Sequence, residues 1–157
     1  MAVSTSLLPP ITTVLLAGGQ GKRMGGDKGL QMLHGRALIA WVLESVRGHS
    51  DEVLLSANDK HEAYAVFGCR IIADHMPDWA GPLAGLQAAL RSARNEWVMS
   101  VPCDTPHLPH DLIARLYAAL AADGTEAAVA VVAGRRQPAI ALYRRDCAGA
   151  VPSSCAP

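Results

Sequence analysis

Lys22, Arg23 and Lys28 are set among five glycines in the stretch Leu16-Ala17-Gly18-Gly19-Gln20-Gly21-Lys22-Arg23-Met24-Gly25-Gly26-Asp27-Lys28. Glycine lacks the Cβ that would keep a ligand off the backbone, so N–H groups there can turn inward onto a phosphate. The cations offset the charge of a polyphosphate. Further along stand Asp74, at the end of an apolar run, and Asp104, held between Pro102 and Pro106. A carboxylate so placed suits Mg²⁺, which takes few protein ligands and completes its shell with phosphate oxygens and water. The competing reading of Asp104 is a turn-capping aspartate in a Pro-rich loop, and an Asp such as Asp74 is often only a turn residue. Glycines, cations and a carboxylate are the parts of phosphoryl or nucleotidyl transfer, which depends on positioning and charge neutralisation.

Two common phosphate loops fail on spacing. The Walker pattern needs Ser or Thr after Gly21-Lys22, and Arg23 stands there. The dinucleotide fingerprint begun at Gly19 and Gly21 meets Met24 where its last glycine belongs. Other reactive residue types carry less. Lys22 reads as a solvated charge. The histidines at 34, 49, 61, 75, 107 and 110 show no ligand-pair spacing, and read as solvent-facing or capping residues. Cysteines 69, 103, 147 and 155 form no Cys-x-x-Cys pair and no zinc-like cluster. They read as unpaired small hydrophobes of a reduced, cytoplasmic protein.

The elements that must position these residues follow from periodicity. Ile11–Ala17 is a short apolar run leading into the glycines, as expected of a strand buried on both faces. Leu38, Ile39, Val42, Leu43 and Val46 repeat at helical spacing up to Gly48. Val53–Ser56 and Arg70–Ala73 read as strands around a short helix at His61–Val66. Gly81-Pro82-Leu83-Ala84-Gly85 opens a further helix, with Pro82 well placed in its first turn. Trp97–Val101 is a buried strand ended by Pro102. Leu112, Ile113, Leu116, Tyr117 and Leu120 mark a helix closed by Asp123-Gly124. Ala127–Ala133 and Pro138–Tyr143 read as strands joined by a turn at Gly134-Arg135-Arg136-Gln137, with Pro138–Tyr143 as an exposed edge. Trp41 and Trp97 sit among apolar neighbours and read as core. Strands alternating with helices imply an α/β protein: a three-layer, doubly wound, mostly parallel sheet. Ligands of such sheets bind beyond the carboxyl ends of the strands, where the glycine loop and Asp104 would meet.

The bulk properties agree with this picture. The 157 residues are half hydrophobic and 18% charged, with 14 Lys+Arg against 14 Asp+Glu. Disorder is excluded, and one domain with a real core is expected. Zero net charge argues against nucleic acid or an anionic membrane as partner. No apolar run reaches membrane-spanning length. Residues 1–10 read as an extension, since Pro9-Pro10 and the lack of a basic start do not suit a signal peptide.

The order Leu16-Ala-Gly-Gly-x-x-x-Arg23-Met-Gly-x-Asp27-Lys28, Asp74, Gly81-Pro-Leu-Ala-Gly85 and Cys103-Asp-Thr-Pro106 resembles the molybdenum cofactor guanylyltransferases, a family of MobA-type nucleotidyltransferases. Gln137-Pro138 with Ile140-Ala141-Leu142 is similar to a later strand of that family, so the likeness runs from about Thr12 to Leu142. It implies a Rossmann-like fold of the nucleotide-diphospho-sugar transferase kind. The implied reaction is Mg²⁺-dependent transfer of GMP from GTP to molybdopterin-bound molybdenum cofactor, with release of pyrophosphate. By the same resemblance Leu16, Ala17, Gly18 and Gly19 cradle guanine and ribose, and Gly18-Gly19 favours guanine over cytosine. Arg23 and Lys28 grip the triphosphate, and Asp74 meets the base or ribose. Asp104 holds the metal. Gly81 and Gly85 face the acceptor or only relieve crowding at a helix start, and Trp79 is core or a pterin neighbour. Other cofactor-biosynthesis or molybdoenzyme proteins are the macromolecular partners this implies.

Two departures stand against the resemblance. Ser56-Ala57-Asn58 lies where many relatives carry Asn-Ala-Asn, so Asn58 keeps one amide while Ser56 reaches less far. The stretch 144–157 lacks helical periodicity and the polar Asn-x-Asn segment expected there, which fits truncation or a frameshift near Arg144. Two other functions follow as alternatives: a cytidylyltransferase or other small-molecule nucleotidyltransferase, and a shortened GTP-binding protein without catalysis.

Overall fold

Strand β1 (Ile11–Leu16) is buried along its whole length because it has a paired neighbour on each side and a helical layer over each face. This arrangement comes from a computed structural model that describes residues 8–17, 27–58, 61–73 and 82–149. A 3₁₀ turn (Lys28–Leu30) leads into a two-stranded hairpin of β2 (Met32–Leu33) and β3 (Arg36–Ala37). Helix α1 (Leu38–Arg47) follows, then β4 (Glu52–Ser56), α2 (His61–Ala65), β5 (Arg70–Ile72), α3 (Pro82–Ser92) and β6 (Trp97–Pro102). Helix α4 (Leu112–Asp123), β7 (Ala127–Val132), β8 (Arg135–Arg144) and a 3₁₀ turn (Arg145–Gly149) complete the order.

The large sheet has the order β5-β4-β1-β6-β8-β7. β1 pairs in parallel with β4 and β6, β4 in parallel with β5, and β8 antiparallel to both β6 and β7. Side chains alternate between the two faces, as the pleat requires. Ile11, Leu15, Leu55, Met99 and Val101 meet α1, α4 and Tyr64 of α2 on one face. Val14, Leu16, Leu54 and Val98 meet α3 on the other. The expected three-layer, mostly parallel sheet is therefore the observed one.

At the amino-terminal edge of the sheet the buried hydroxyls are bonded. Thr12 Oγ1 donates to Glu52 Oε2 at 2.7 Å, and Thr13 Oγ1 pairs with Ser50 Oγ at 2.6 Å. Arg70 and Arg94 each stand 3.6 Å from Glu52. That edge is closed by polar contacts.

Several sequence expectations are corrected. The last hairpin turns on two residues, Ala133 (φ 48°) and Gly134 (φ 76°), the left-handed pair that a tight hairpin favours. Arg135, Arg136 and Gln137 thus belong to β8, opposite Val132, Val131 and Ala130. The register then jumps to Val129↔Ala141, so Pro138 falls in a bulge, where its missing N–H costs no ladder bond. Pro138–Tyr143 is no sheet edge, because β8 lies between β6 and β7. Trp41 is half-buried outside the core clusters: its Nε1 donates to Leu33 O at 3.1 Å and Arg36 stacks 4.9 Å above its ring. It pins the β2–β3 hairpin, an element that was not foreseen. The stretch after Arg144 starts as a folded turn: Arg145 N donates to Glu96 O at 2.7 Å and Arg145 Nη1 to Ala93 O at 3.0 Å. Among the described residues no helix is long and apolar enough to cross a membrane.

Candidate functional site

The chain winds from β1 outward through β4 to β5, then returns to place β6 on the opposite side of β1. After β1 the next strand of this sheet, β4, lies on one side of it, and after β6 the next strands, β7 and β8, lie on the other. Ligands of such sheets bind at the carboxyl edge of a switch point like this. Backbone bonds hold its rim. Ala17 N donates to Ser56 O at 3.0 Å, Cys103 N to Leu16 O at 3.2 Å, and Ala57 N to Ile72 O at 3.0 Å. Each residue just past a strand is thereby locked to the neighbouring strand.

Two of the residues singled out from sequence meet at this rim. Lys28 Nζ stands 3.9 Å from Asp104 Oδ2, with 57% and 35% of the side chains exposed. The separation is that of a loose ion pair in contact with solvent, so both groups can take other partners. Lys28 reaches it from the 3₁₀ turn that follows the glycine loop, and Asp104 from the turn after β6. Ala17 is part-buried at the same edge. Leu16 is only 9% exposed, and its side chain packs in the layer facing α3. Gly85 is also buried there. A Cβ on it would stand 2.5 Å from Ser56 Oγ and 3.2 Å from Leu16 Cδ2. Gly85 thus lets α3 approach β4 and β1 closely, and Ser56, itself 2% exposed, faces that helix. Gly18, Gly19, Lys22, Arg23, Asp74, His75, Trp79 and Gly81 lie outside the described residues, as do residues 1–7 and 150–157.

Beneath Lys28 the structure shows contacts that sequence reasoning did not single out. The Tyr64 hydroxyl donates to Asp27 Oδ1. Gly29 is buried, and a Cβ on it would stand 2.9 Å from Cys103 Sγ and 3.1 Å from the Tyr64 hydroxyl. Burial, reinforced by the negative charge of Asp104 and Asp27, pushes the Cys103 thiol up to about 12. It is a packing group, not a nucleophile. Asp27 and Cys103 belong to the quoted motifs, which was a signal. Tyr64, alone on a short helix, had none. His61 is spent locally, its Nε2 lying 2.8 Å from Ala57 O.

The donor set bears on a metal. Among the described residues no group of three or more His, Cys, Asp or Glu side chains clusters to hold an ion. Asp104 is instead a part-exposed carboxylate beside the Lys28 cation. That suits Mg²⁺ bound chiefly through substrate phosphates.

A mostly parallel sheet with this switch point, a lysine and a carboxylate on its rim and a glycine-rich connection after β1 defines an α/β domain of the nucleotidyltransferase kind. The chain belongs to the MobA-like NTP transferase domain family, whose model matches residues 13–155 and so runs on past Leu142. A molybdenum cofactor guanylyltransferase of Burkholderia vietnamiensis is 46% identical over 91% of this chain and 75% of its own length. Among solved structures, molybdopterin-guanine dinucleotide biosynthesis protein A from Archaeoglobus fulgidus is 26% identical with a TM-score of 0.71, over 89% of this chain and 70% of that one. The CMP:2-keto-3-deoxy-manno-octonic acid synthetase complexed with CTP shares the fold at a TM-score of 0.65 and 15% identity, over 93% of this chain and 79% of that one.

Proposed function

We propose that this protein transfers GMP from GTP to molybdopterin-bound molybdenum cofactor, forming the guanine dinucleotide cofactor and releasing pyrophosphate. The observation that carries nucleotidyl transfer is the Lys28–Asp104 pair at the switch point. Guanine and the acceptor come from the names of relatives such as the 46%-identical guanylyltransferase. A dinucleotide is joined through phosphates, so an acceptor phosphate oxygen attacks the α-phosphorus of GTP. A new P–O bond forms as the bond to the β-phosphate oxygen breaks, and pyrophosphate carries away that electron pair.

Two anions must be brought together in this step, so the chain's contribution is positioning and charge. Lys28 binds the triphosphate as a mobile cation, aided by Arg23 from the glycine loop. On this reading Leu16, through its backbone, with Ala17, Gly18 and Gly19 would cradle the nucleoside, and Asp74 would meet its base or ribose. On the same reading Gly81 would serve the acceptor side, while Gly85 sets how closely α3 sits on the sheet. Asp104 would hold Mg²⁺ together with the phosphates; the ion supplies neutralisation of the charge that builds on the α-phosphate and the leaving group. A cytoplasmic setting belongs to this reading, and Cys69, Cys103 and Cys147 are all free thiols, as a reducing compartment requires.

Pyrophosphate release measured with GTP or CTP, with and without Mg²⁺ and the molybdopterin acceptor, tests the proposal. Turnover with GTP, Mg²⁺ and acceptor together is the expected result. Turnover with CTP instead would make it a cytidylyltransferase. GTP binding by calorimetry without turnover would make it a binding protein.

A further inference from the structure

We infer that Tyr64 is a positioning residue that sets where Lys28 stands, acting through Asp27; this rests on the reading above, in which Lys28 holds the triphosphate. Lys28 is exposed and its long side chain is flexible. A solvent-exposed ion pair such as the one with Asp104 contributes too little to fix it. The constraint comes from the two residues on either side.

Asp27 occupies the N-cap position of the 3₁₀ turn Lys28–Leu30, yet its side chain caps no backbone N–H there. Its carboxylate instead accepts the hydroxyl hydrogen of Tyr64. Hydrogen bonds to a carboxylate are stronger than those between neutral groups. The Tyr64 ring is fully buried in the core cluster on one face of the sheet, so its hydroxyl is a fixed post. On the other side of Lys28, Gly29 is seated against Cys103 Sγ and the same hydroxyl, with no room for a Cβ. Lys28 therefore spans two anchored neighbours, and one anchor, Cys103, directly precedes Asp104. The pair Gly29–Lys28 is set against the pair Cys103–Asp104, and Tyr64 closes the arrangement from below. The hydroxyl acts through its bond to Asp27. Its work is geometric.

Tyr64→Phe keeps the buried ring and removes only the hydroxyl. Leu30 N donates to Asp27 O at 3.1 Å and Gln31 N to Lys28 O at 3.2 Å, so their amide exchange reports the turn directly. Loss of the bond is expected to speed exchange at Leu30 and Gln31 by ~10-fold, with β1 amides unchanged. Asp27→Ala removes the same bond from the other side and should give the same pattern without touching the core. The kcat/KM for GTP should fall ~10-fold in Tyr64→Phe but less than ~2-fold when the hydroxyl is removed from a Lys28→Ala protein. Unchanged exchange in both variants would overturn the inference. So would an equal fall in kcat/KM with and without Lys28, which would mark a merely structural role. If the unsubstituted protein shows no GTP turnover, the functional reading fails, and amide exchange alone decides the role of Tyr64.

Discussion

Lys28 and Asp104 face each other at 3.9 Å across the point where the strand order of the sheet turns back, one beyond β1 and the other beyond β6. In the proposed reaction the two groups would part, Lys28 onto the triphosphate and Asp104 onto the metal. The pairing itself adds little to stability because both groups meet solvent.

Asp104→Ala should therefore separate chemistry from folding. If Asp104 acts as proposed, pyrophosphate release from GTP by this variant should fall at least ~10²-fold, the scale for losing a group that stabilises transition-state charge. Its unfolding free energy should change by about 1 kcal/mol or less. Paired turnover and urea-unfolding measurements check this. Retained turnover would remove Asp104 from the mechanism.

Gly85→Ala tests the close approach of α3. A methyl group there would stand 2.5 Å from Ser56 Oγ and 3.2 Å from Leu16 Cδ2. Overpacking of this kind costs about 1–3 kcal/mol, against a gain of about 1 kcal/mol from replacing a helical glycine. Net destabilisation is expected, with partial recovery when Ser56→Ala removes the nearest atom. Urea unfolding of the single and double variants measures both. A Gly85→Ala protein as stable as the parent would show that the layers can separate freely.

Cys103 makes a prediction about pH. Its thiol is held near 12 in the fold, above the ordinary value of 9.0, chiefly by burial and then by Asp104 and Asp27. A group that keeps its proton more tightly when folded contributes fully below the unfolded value, and that contribution is lost as pH rises from about 9 toward 12. Cys103→Ala should cost about 1–2 kcal/mol at pH 7 through the packing it removes. The gap to the parent protein should narrow above pH 9. In the folded protein at pH 8 the Cys103 peptide should resist alkylation, with only 4% of the residue exposed. Rapid labelling of Cys103 without unfolding would contradict this.

The sequence by itself determined the layers. Near-continuous apolar runs at Ile11–Leu16 and Trp97–Val101 read as strands covered on both faces. The spacing of Ile39, Val42, Leu43 and Val46 can only be one face of a helix. It also named the residues of the rim, because glycines, cations and a carboxylate between prolines are unusual in type as well as in order. What it did not determine is everything that depends on a distant neighbour. Whether Asp27 caps its own turn or binds Tyr64 depends on where α2 comes to rest. Whether Gly85 faces a ligand or Ser56 depends on how closely α3 settles on β4. Whether Pro138 lies at an edge or in a bulge depends on which strand comes to lie outside β8. Periodicity is a local property, set by the pleat and the helical turn, so it is written in consecutive residues. The contacts that aim Lys28 at Asp104 join segments far apart along the chain, and only packing of the whole sheet and its layers decides them.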